Sequence, residues 1–518
     1  MRKKLCFLLL LSVCFLLCSC GSRGEELRLI DIPLTEEDYA FGVDPAQPEL
    51  LEQVNTFIRI AVEDGTLDRI CENYFGSGTP QGVESARRDE SRSQLVVATN
   101  AMFAPFEYTR GDRFYGIDLE LAAALAEYLG RELVIVDMDF EAVCLSVGQG
   151  KCDIAMAGLT VNESRKEHVV FTDPYYAASQ RILVSDPHSP FTDCETTEEL
   201  EALLSTMDPT IRGGVQTGTT GQSYLLGDPD WGFKGYEVSC MGYQSLALAV
   251  QDMGNGNLDF VLADEAPARM VLESMQDRNS STFSRRMATF LTQFRDRGGY
   301  RLALEGLRNT LLIAVLGLLI GILGGTLIAT ARIMPKYQAL PRFLDKLCTL
   351  YVGFFRGTPI VVQLLLGYYV LLPLLGLNAP ALGVCIVVFG LNSSAYVSEI
   401  MRGGISSVDR GQLEAGRAVG LSYSTAMLRI VIPQAVKNIL PTLGNEFISL
   451  VKETSIVSFV SAVDIYKAFN IMATNSYEYV VPYLAMALVY IVLIAGITLL
   501  IRLMERRLAR NAKSFSSK

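Results

Sequence analysis

The sequence predicts an α/β domain followed by an all-α transmembrane domain of five helices. Long apolar stretches begin only after residue 300, whereas short β-like runs alternate with helical stretches before it. The charge changes at the same point, from 25 Lys and Arg against 46 Asp and Glu in residues 1–300 to 20 against 10 in residues 301–518. An acidic outer half argues against nucleic-acid binding, which requires clustered cations.

The first 20 residues have the features of a secretory signal. A charged MRKK precedes the apolar run LCFLLLLSVCFLL, and small residues follow. The ending LCSC resembles a bacterial lipobox, which predicts a signal over residues 1–20 and lipidation of Cys20. An uncleaved signal anchor with an incidental cysteine is the alternative. Both place the chain that follows outside the cytoplasm.

The outer half contains five further cysteines, an odd number without the spacing of a metal site. We expect most of them to be small core residues and predict no metal site, and the sequence allows a disulfide among them without assigning one. The five are Cys71, Cys144, Cys152, Cys194 and Cys240.

Five apolar segments after residue 300 are long enough to span a membrane. The loops that follow the first and last segments are basic and the outward loops are nearly uncharged, which predicts an outer N-terminal side and an inner C-terminus. In the first segment Gly317, Gly321 and Gly325 form a small face suited to close helix packing. The predicted spans lie near residues 309–331, 347–372, 381–401, 438–462 and 481–503.

A polar stretch between the third and fourth spans, residues 407–433, predicts two short helices and a turn. Gly420 supplies a backbone turn that a side chain would resist. Ser422 or Ser424 would cap the second short helix, and Pro433 stands where a further helix can begin.

This stretch resembles the EAA loop of ABC-importer permeases. Gly416 stands where a second alanine is usual in that family. The resemblance implies a cytoplasmic ABC ATPase as partner, because the loop of those permeases projects into a groove of the ATPase. The matching residues are Glu414, Ala415, Gly420, Ile430, Ile432 and Pro433.

Three other strings, FFRGTPIVVQ, AYVSEIMRGGI and SLVKETSIVS, resemble the polar-amino-acid branch of the same family. Each places ionisable residues within or beside a span, where charge is costly. Glu399 and Arg402 are three residues apart, so they can form an ion pair along one helix face. Direct contact with the substrate is the alternative.

Strand ends in residues 94–275 carry groups that together suit a zwitterion. Arg165 can hold a carboxylate bidentately and Asp264 can hold an ammonium group. Phe103 and Phe140 offer aromatic faces for the rest of the ligand. Thr160, Thr219 and Thr220 add hydroxyls, and Gly158 adds main-chain groups.

The same strings resemble the type II amino-acid-binding proteins, the two-lobed periplasmic receptors of ABC importers. They are PFEY with GIDLELAAALAEYLG, AGLTVNESRKEHVVFTDPYY, GVQTGTT and DFVLADEAPA. The resemblance implies that Arg165 grips the α-carboxylate with backbone N–H groups of Thr160 and Thr220. It also implies that Asp264 holds the α-amino group with Thr160 and the Gly158 carbonyl, and that the two phenylalanines flank the side chain.

Two positions depart from the glutamine-binding relatives of that family. Asn100 stands where they have an aspartate, and Gln216 stands where they have a lysine. The preferred side chain of the ligand is therefore left open.

The stretch LDRICENYFG, residues 67–76, reads as the last helix of a domain although it stands near the start of the chain. In the family a returning strand and two closing helices follow the helix that ends here near residue 275, and that portion is missing there. Residues 24–76 hold such a strand, YAFGV, and a helix entered at Pro48. Circular permutation is the simplest hypothesis. A decayed tandem receptor domain and completion of a neighbouring chain's domain are the alternatives.

This hypothesis divides the chain into six parts. They are a signal at 1–20, the relocated C-terminal portion at 24–76, a linker at 77–93, the remainder of the binding domain at 94–277, a linker at 278–300 and the permease domain at 301–518.

The expected function is that of a fused receptor and permease subunit of an amino-acid ABC importer in a bacterial cell membrane. No GxxxxGK[ST] loop occurs in the sequence, so ATP would be used by a separate ATPase, and we expect no cofactor in this chain. Five spans suggest a homodimer, with pairing to a second permease as the alternative. A ligand-gated receptor or channel with the same binding fold is the competing function.

Overall fold

The computed structural model describes residues 27–516 except 90, 111–112, 280–282, 297, 335–336, 338, 378, 461 and 477. The predicted signal and Cys20 lie outside the described residues.

The first half of the chain is a series of short strands and helices. Its strands are β1 (Arg28–Ile30), β2 (Glu37–Tyr39), β3 (Gly42–Val43), β4 (Gln94–Thr99), β5 (Met102–Phe103), β6 (Glu107–Arg110), β7 (Arg113–Tyr115), β8 (Glu132–Asp137), β9 (Ile154–Ala155), β10 (Val170–Phe171), β11 (Tyr176–Ala178), β12 (Gln180–Val184), β13 (Arg212–Gln216), β14 (Ser239–Tyr243) and β15 (Phe260–Asp264). Its helices are α1 (Pro48–Glu63), α2 (Thr66–Phe75), α3 (Ile117–Tyr128), α4 (Phe140–Gly148), α5 (Glu163–Lys166), α6 (Thr197–Thr206), α7 (Thr220–Leu226), α8 (Leu246–Gly254) and α9 (Glu265–Asn279).

Two five-stranded sheets form two lobes. The first lobe has the order β10-β3-β9-β4-β8 and the second has the order β1-β12-β15-β13-β14. Neighbouring strands β4, β8 and β9 are parallel, as are β13, β14 and β15. Alternation of strands and helices in the sequence explains these parallel pairs, because parallel neighbours need crossover connections.

The chain passes between the lobes twice, and the two crossings pair with each other. It runs from β1 in the second lobe to β3 in the first through β2, and it returns from β10 to β12 through β11. Strands β2 and β11 are antiparallel, with Tyr39 opposite Tyr176. Residues 27–76 therefore supply a strand to each lobe and one of the two crossings.

Helix α1 packs into the core of the first lobe. Pro48 is at its start, where a missing N–H costs nothing. Its buried side chains recur at helical spacing and join a cluster with Leu95, Val97 and Leu125 of the rest of the lobe. The buried residues of α1 are Leu50, Val54, Phe57, Ile58 and Ala61.

Shortening Phe57 to alanine is expected to destabilise the first lobe by about 3–5 kcal/mol, because it removes a buried aromatic ring. Phe57 is 5% exposed and its ring centroid lies 5.7 Å from that of Tyr128. Thermal unfolding of the full chain, followed through the outer domain, measures the effect. Ile60→Ala on the exposed side of α1 is the control, and equal midpoints for the two variants would contradict the packing.

The segment predicted as a linker, residues 77–93, lies along the first lobe. Val83 is buried and pairs with Phe114, and Ala86 N–H donates to Leu133 O at 2.8 Å. Its packing is not predictable from local sequence, because the segment is polar and has no regular apolar pattern. Cys144 and Cys152 are buried, and the half-buried Cys71, Cys194 and Cys240 pack against the hydrophobic clusters of the two lobes, in agreement with the expectation for most of the five.

The second half is helical. Its helices are α10 (Phe283–Asp296), α11 (Gly299–Ile333), α12 (Ala339–Gly357), α13 (Ile360–Leu365), α14 (Leu372–Leu374), α15 (Ala381–Ser406), α16 (Arg410–Ala418), α17 (Tyr423–Ala426), α18 (Ile432–Glu453), α19 (Ile465–Ser476) and α20 (Val480–Ser516). A 3-10 segment, Thr454–Val460, connects α18 to the approach to α19, and π-helical turns occupy Leu366–Leu371 and Met427–Val431.

Among the described residues three helices are long and apolar enough to cross a membrane, and the number is five if each of two bent helix pairs is one span. The predicted span 347–372 is not straight, because the chain bends by 108° between α12 and α13. Pro359 explains the break, since proline lacks an N–H and disfavours a helical conformation in the residue before it. The predicted span 438–462 likewise ends in a 3-10 segment rather than in α-helix.

The predicted glycine face of the first span is a helix contact. A Cβ at Gly317 would lie 3.3 Å from Phe389, and a Cβ at Gly321 would lie 2.6 Å from Ser393; both neighbours belong to α15. Only glycine allows the two backbones to approach so closely.

The predicted linker at 278–300 contains a helix, α10. Phe290 is buried against Phe469 and Val481, so the apolar side of α10 packs on α19 and α20. Arg286 adds a double hydrogen bond to Glu478, with both donor–acceptor distances 2.6 Å. The helical spacing of these apolar residues is present in the sequence, but the five arginines among residues 278–297 favour an exposed segment.

Candidate functional site

The polar residues predicted to bind a ligand follow strands of both lobes. Asn100 follows β4, and Gly158 and Thr160 follow β9 in the first lobe. Gln216 ends β13 and Asp264 ends β15 in the second. The carboxyl ends of parallel strands meet at one edge of a sheet, so the two edges face each other across a crevice.

Nine of the ten predicted residues line one cleft between the lobes. Asn100 is 1% exposed and lies beneath it, where its Nδ2 donates to Met138 O at 2.7 Å and its Oδ1 lies 3.4 Å from Gln216 Nε2. The lining residues are Phe103, Phe140, Gly158, Thr160, Arg165, Gln216, Thr219, Thr220 and Asp264.

Arg165 is held in position by the main chain around it. Asn162 caps the short helix α5 by accepting a hydrogen bond from Arg165 N–H at 2.7 Å. The guanidinium donates to Thr160 O at 2.7 Å and to Gly218 O of the opposite lobe at 3.1 Å. It also lies 5.1 Å from the centre of the Phe140 ring. A cation is thus fixed at the mouth of the cleft, in contact with both lobes.

The threonines bring the two lobes together. Thr220 Oγ1 donates to Thr160 Oγ1 at 3.2 Å across the cleft. Thr219 Oγ1 donates to Gln216 O at 2.7 Å and so braces the turn that precedes α7. Helix α7 therefore begins at the cleft, with its first N–H groups on that side.

Position 158 requires a glycine, because of its backbone conformation and the closeness of its neighbours. Its φ is +53°, and a Cβ would lie 2.9 Å from Phe103 Cε1. Its N–H donates to Asp118 Oδ2 at 2.9 Å. Burial raises the pKa of Asp118 to about 7, although this N–H and the Tyr175 hydroxyl oppose the shift.

Asp264 is the buried acid on the second-lobe side. It accepts hydrogen bonds from Tyr39 OH at 2.5 Å and from Gln180 Nε2 at 2.9 Å. Burial raises its pKa to about 7, and repulsion from the Glu37 carboxylate adds to the increase. The cleft therefore has a guanidinium on one side and a titratable carboxyl group on the other.

Glu37 and Tyr39 are site residues that the sequence reasoning missed. Glu37 accepts from Thr160 Oγ1 at 2.7 Å and from Gln180 Nε2 at 3.0 Å, and it is 5% exposed. Both residues lie in β2, the crossing strand. The prediction that YAFGV returns to the first lobe was the available signal, because a strand that crosses between lobes must pass the back of the cleft.

The loop at 407–433 has the predicted two helices, α16 and α17. Gly420 has a φ of +92° at the turn between them. Ser422, rather than Ser424, caps α17 by accepting from Thr425 N–H at 3.2 Å. Pro433 lies in the first turn of α18. A Cβ on the buried Gly416 would lie 2.9 Å from Ile430 Cδ1, so an alanine there would require a shift of the isoleucine side chain.

Glu414 and Ala415 are exposed on this loop. Val419 and Leu428 are 79% and 68% exposed, so the loop also presents apolar side chains.

Among the ionisable residues of the spans, Glu399 forms ion pairs with Arg332 and, at 2.7 Å, with Arg402. The predicted pair along one helix face is confirmed.

Two family models match consecutive parts of the chain. The bacterial extracellular solute-binding proteins, family 3, match residues 95–306, and the inner membrane component of binding-protein-dependent transport systems matches residues 307–510. A glutamine transport system permease of Rickettsia bellii is 37% identical over 204 residues, which are 39% of this chain and 91% of that protein. The chain belongs to the binding-protein-dependent transport permeases.

Other similar proteins agree with this family. The arginine transport system permease of Bacillus subtilis is 37% identical over 40% of this permease chain and 93% of its own length. A crystal structure of an amino acid ABC transporter with histidines is 39% identical over 42% of this chain and 98% of that one, with a TM-score of 0.39. Because the two family models match consecutive parts of one chain, the permease is a membrane protein that is fused to a solute-binding domain.

Proposed function

We propose that this permease imports amino acids, and that its outer domain encloses a free α-amino acid between the two lobes. The observation that carries the proposal is the placement of Arg165 and Asp264 in one cleft. A guanidinium suits an α-carboxylate, and a carboxylate suits an α-ammonium group. Thr160 and the N-terminus of α7 at Thr220 supply further donors for the carboxylate.

We propose further that the ligand's side chain donates N–H groups. Gln216 lines the cleft, and its Oε1 is buried without a hydrogen-bond partner among the described residues. A buried acceptor of this kind favours a ligand that satisfies it. The relatives named above are a glutamine and an arginine permease, and both of those side chains donate N–H groups. Glutamine and arginine are therefore the first ligands to test.

The proposed transporter works with a separate cytoplasmic ABC ATPase. The exposed Glu414 and Ala415 of the loop at 407–433 would dock on it, and the apolar Val419 would be covered in the complex. ATP would be bound by the partner alone, without a cofactor in this chain. Two copies of the permease would form a homodimer, with the binding domains outside the cell and the loop and C-terminus inside.

The proposal includes a circularly permuted binding domain that is anchored by a lipid on Cys20. Its support is that β1 is the edge strand of one sheet and β3 an inner strand of the other, although the family 3 match begins only at residue 95. Within one chain, residues 27–76 share a core with the first lobe.

Binding and ATPase measurements on the full chain test the proposal. Calorimetric titration of the purified protein in nanodiscs with each of the twenty amino acids should give binding for glutamine or arginine. The same ligand should stimulate ATP hydrolysis after addition of the partner ATPase, and Glu414→Lys should remove the stimulation without changing the affinity. Failure of all twenty to bind would refute the proposal. Ligand-induced ion current without an ATPase would favour the channel function instead.

Acidic pH is expected to weaken binding, because a proton and the ligand's ammonium group compete for Asp264. Its pKa is raised to about 7, so its carboxylate is available above that pH and is largely protonated below it in the ligand-free protein. The affinity should therefore fall by up to about tenfold per pH unit below pH 7. Titrations at about pH 8, 7 and 5.5 measure it, and a constant affinity would contradict the role of Asp264.

A further inference from the structure

Helix α19 of the permease contacts the first lobe of the binding domain beside the cleft. Lys467 Nζ lies 3.1 Å from Asp137 Oδ2, at the end of β8. Asn470 Nδ2 lies 3.8 Å from Met102 Sδ in β5. Asp137 is three residues before Phe140, so this contact adjoins the wall that the ligand would touch.

The same helix contacts the second lobe. Ala473 is fully buried and packs against Ala247 at the start of α8. Tyr466 OH lies 3.5 Å from Gln244 Oε1, just before that helix. One short helix of the permease therefore meets both lobes, and their separation determines whether both contacts can exist together.

The ion pair between Lys467 and Asp137 is buried. The two side chains are 3% and 14% exposed, and the carboxylate of Asp139 also attracts the ammonium group. The geometry is that of an ion pair rather than of an aligned hydrogen bond. A buried ammonium group without its partner is strongly unfavourable, so Lys467 favours the docked arrangement of the first lobe.

Asp137 connects this ion pair to the ligand cleft. Its second oxygen, Oδ1, accepts from Ala101 N–H at 2.9 Å, between Asn100 and Phe103. Asn100 in turn donates to Met138 O. The carboxylate that pairs with the permease therefore also fixes the turn beneath the ligand.

On its other side α19 is hydrogen-bonded to the first membrane helix, α11. Asp464 caps it by accepting from Lys467 N–H at 2.8 Å. Asn309 and Thr310 of α11 bond to Val463 O and Ile465 N–H, at 2.9 and 3.3 Å. A displacement of α19 would therefore reach the first span.

We propose that Lys467 is the positioning residue by which the permease detects closure of its own binding domain. The domain docks in cis, on the permease half of the same chain, and α19 bears on both lobes when they are closed. This inference rests on the proposed function, because it requires that a ligand close the lobes.

Lys467→Met in the full chain tests the inference, with glutamine and arginine as the probes. The dissociation constant should stay within about threefold of the wild-type value, because Lys467 does not line the cleft. Ligand-stimulated ATP hydrolysis should fall by about tenfold or more, since breaking a buried ion pair costs more than a factor of ten. Ligand-dependent protection of residues 465–476 from hydrogen exchange should disappear as well.

Two further variants distinguish the roles of the Lys467 charge and of the second-lobe contact from a general loss of structure. Lys437→Met removes an exposed cation of α18 and should change none of these readouts. Ala247→Trp should separate the second lobe from Ala473 and uncouple binding from ATP hydrolysis while leaving the ion pair in place. Unchanged stimulation in Lys467→Met would overturn the inference, because the ion pair would then not be needed for coupling. Failure of the wild-type chain to bind any amino acid would refute the proposed function, whereas loss of coupling with intact binding supports this inference alone.

Discussion

Arg165→Ala is expected to weaken amino-acid binding by about 30-fold or more. Removing one partner of a buried, hydrogen-bonded charge pair costs about 2–5 kcal/mol, and 1.4 kcal/mol corresponds to a factor of ten. Here the guanidinium would hold the ligand's carboxylate, and it also donates to Gly218 O in the opposite lobe. The variant therefore loses a ligand contact and a contact between the lobes. Calorimetric titration of the full chain measures the change.

The control is Lys166→Ala, which removes the next cation of the same helix. Lys166 pairs with Glu163 at 2.6 Å on the exposed side, so its removal should leave the affinity within about threefold. Arg165→Lys should recover only part of the loss, because lysine cannot make two parallel bonds to a carboxylate. If Arg165→Ala bound as well as wild type, the assignment of the carboxylate site would be wrong.

Asp264→Asn is expected to lower the affinity by a similar factor. The asparagine can keep hydrogen bonds to Tyr39 and Gln180, so the fold is preserved, but the ligand's ammonium group loses its opposite charge. The remaining binding should no longer weaken between about pH 7 and 5.5. Titrations at both pH values measure both effects.

Glu265→Gln is the matched control for Asp264→Asn. Glu265 is the next residue, and its carboxylate binds Arg181 and Arg269 outside the cleft. We expect its affinity and pH dependence to resemble those of the wild type. An Asp264→Asn variant that kept wild-type affinity would show that another group holds the ammonium.

Much of the fold could be predicted because its signals are local. The length of the apolar segments predicts the spans, and the alternation of strand-like and helical stretches predicts the α/β architecture of the two lobes. The bend at Pro359 also has a local signal, the proline itself, although apolar length alone predicts one continuous span there. The helix α10 was missed because its stability comes from tertiary contacts, such as that of Phe290 with Phe469, rather than from its own sequence.

The cleft residues were found through strand ends and through a family resemblance. Glu37 and Tyr39 were missed because they lie far from Asp264 in sequence and reach it only after the crossing strand passes behind the cleft. The contact of Lys467 with Asp137 joins residues 330 positions apart. Such pairings depend on how domains sit together, which no local pattern reveals.

The order of the crossings has a mechanical consequence. The second-lobe sheet holds β1 at one end of the domain's chain and β15 at the other, whereas the first-lobe strands lie wholly between the two crossings. Tension from the permease half, transmitted through α9, therefore loads the second lobe directly. The first lobe is joined to the second through two adjacent strands, and non-covalent contacts restrain it: with α19, with the Tyr368 and Tyr369 carbonyls, and with the second lobe across the cleft.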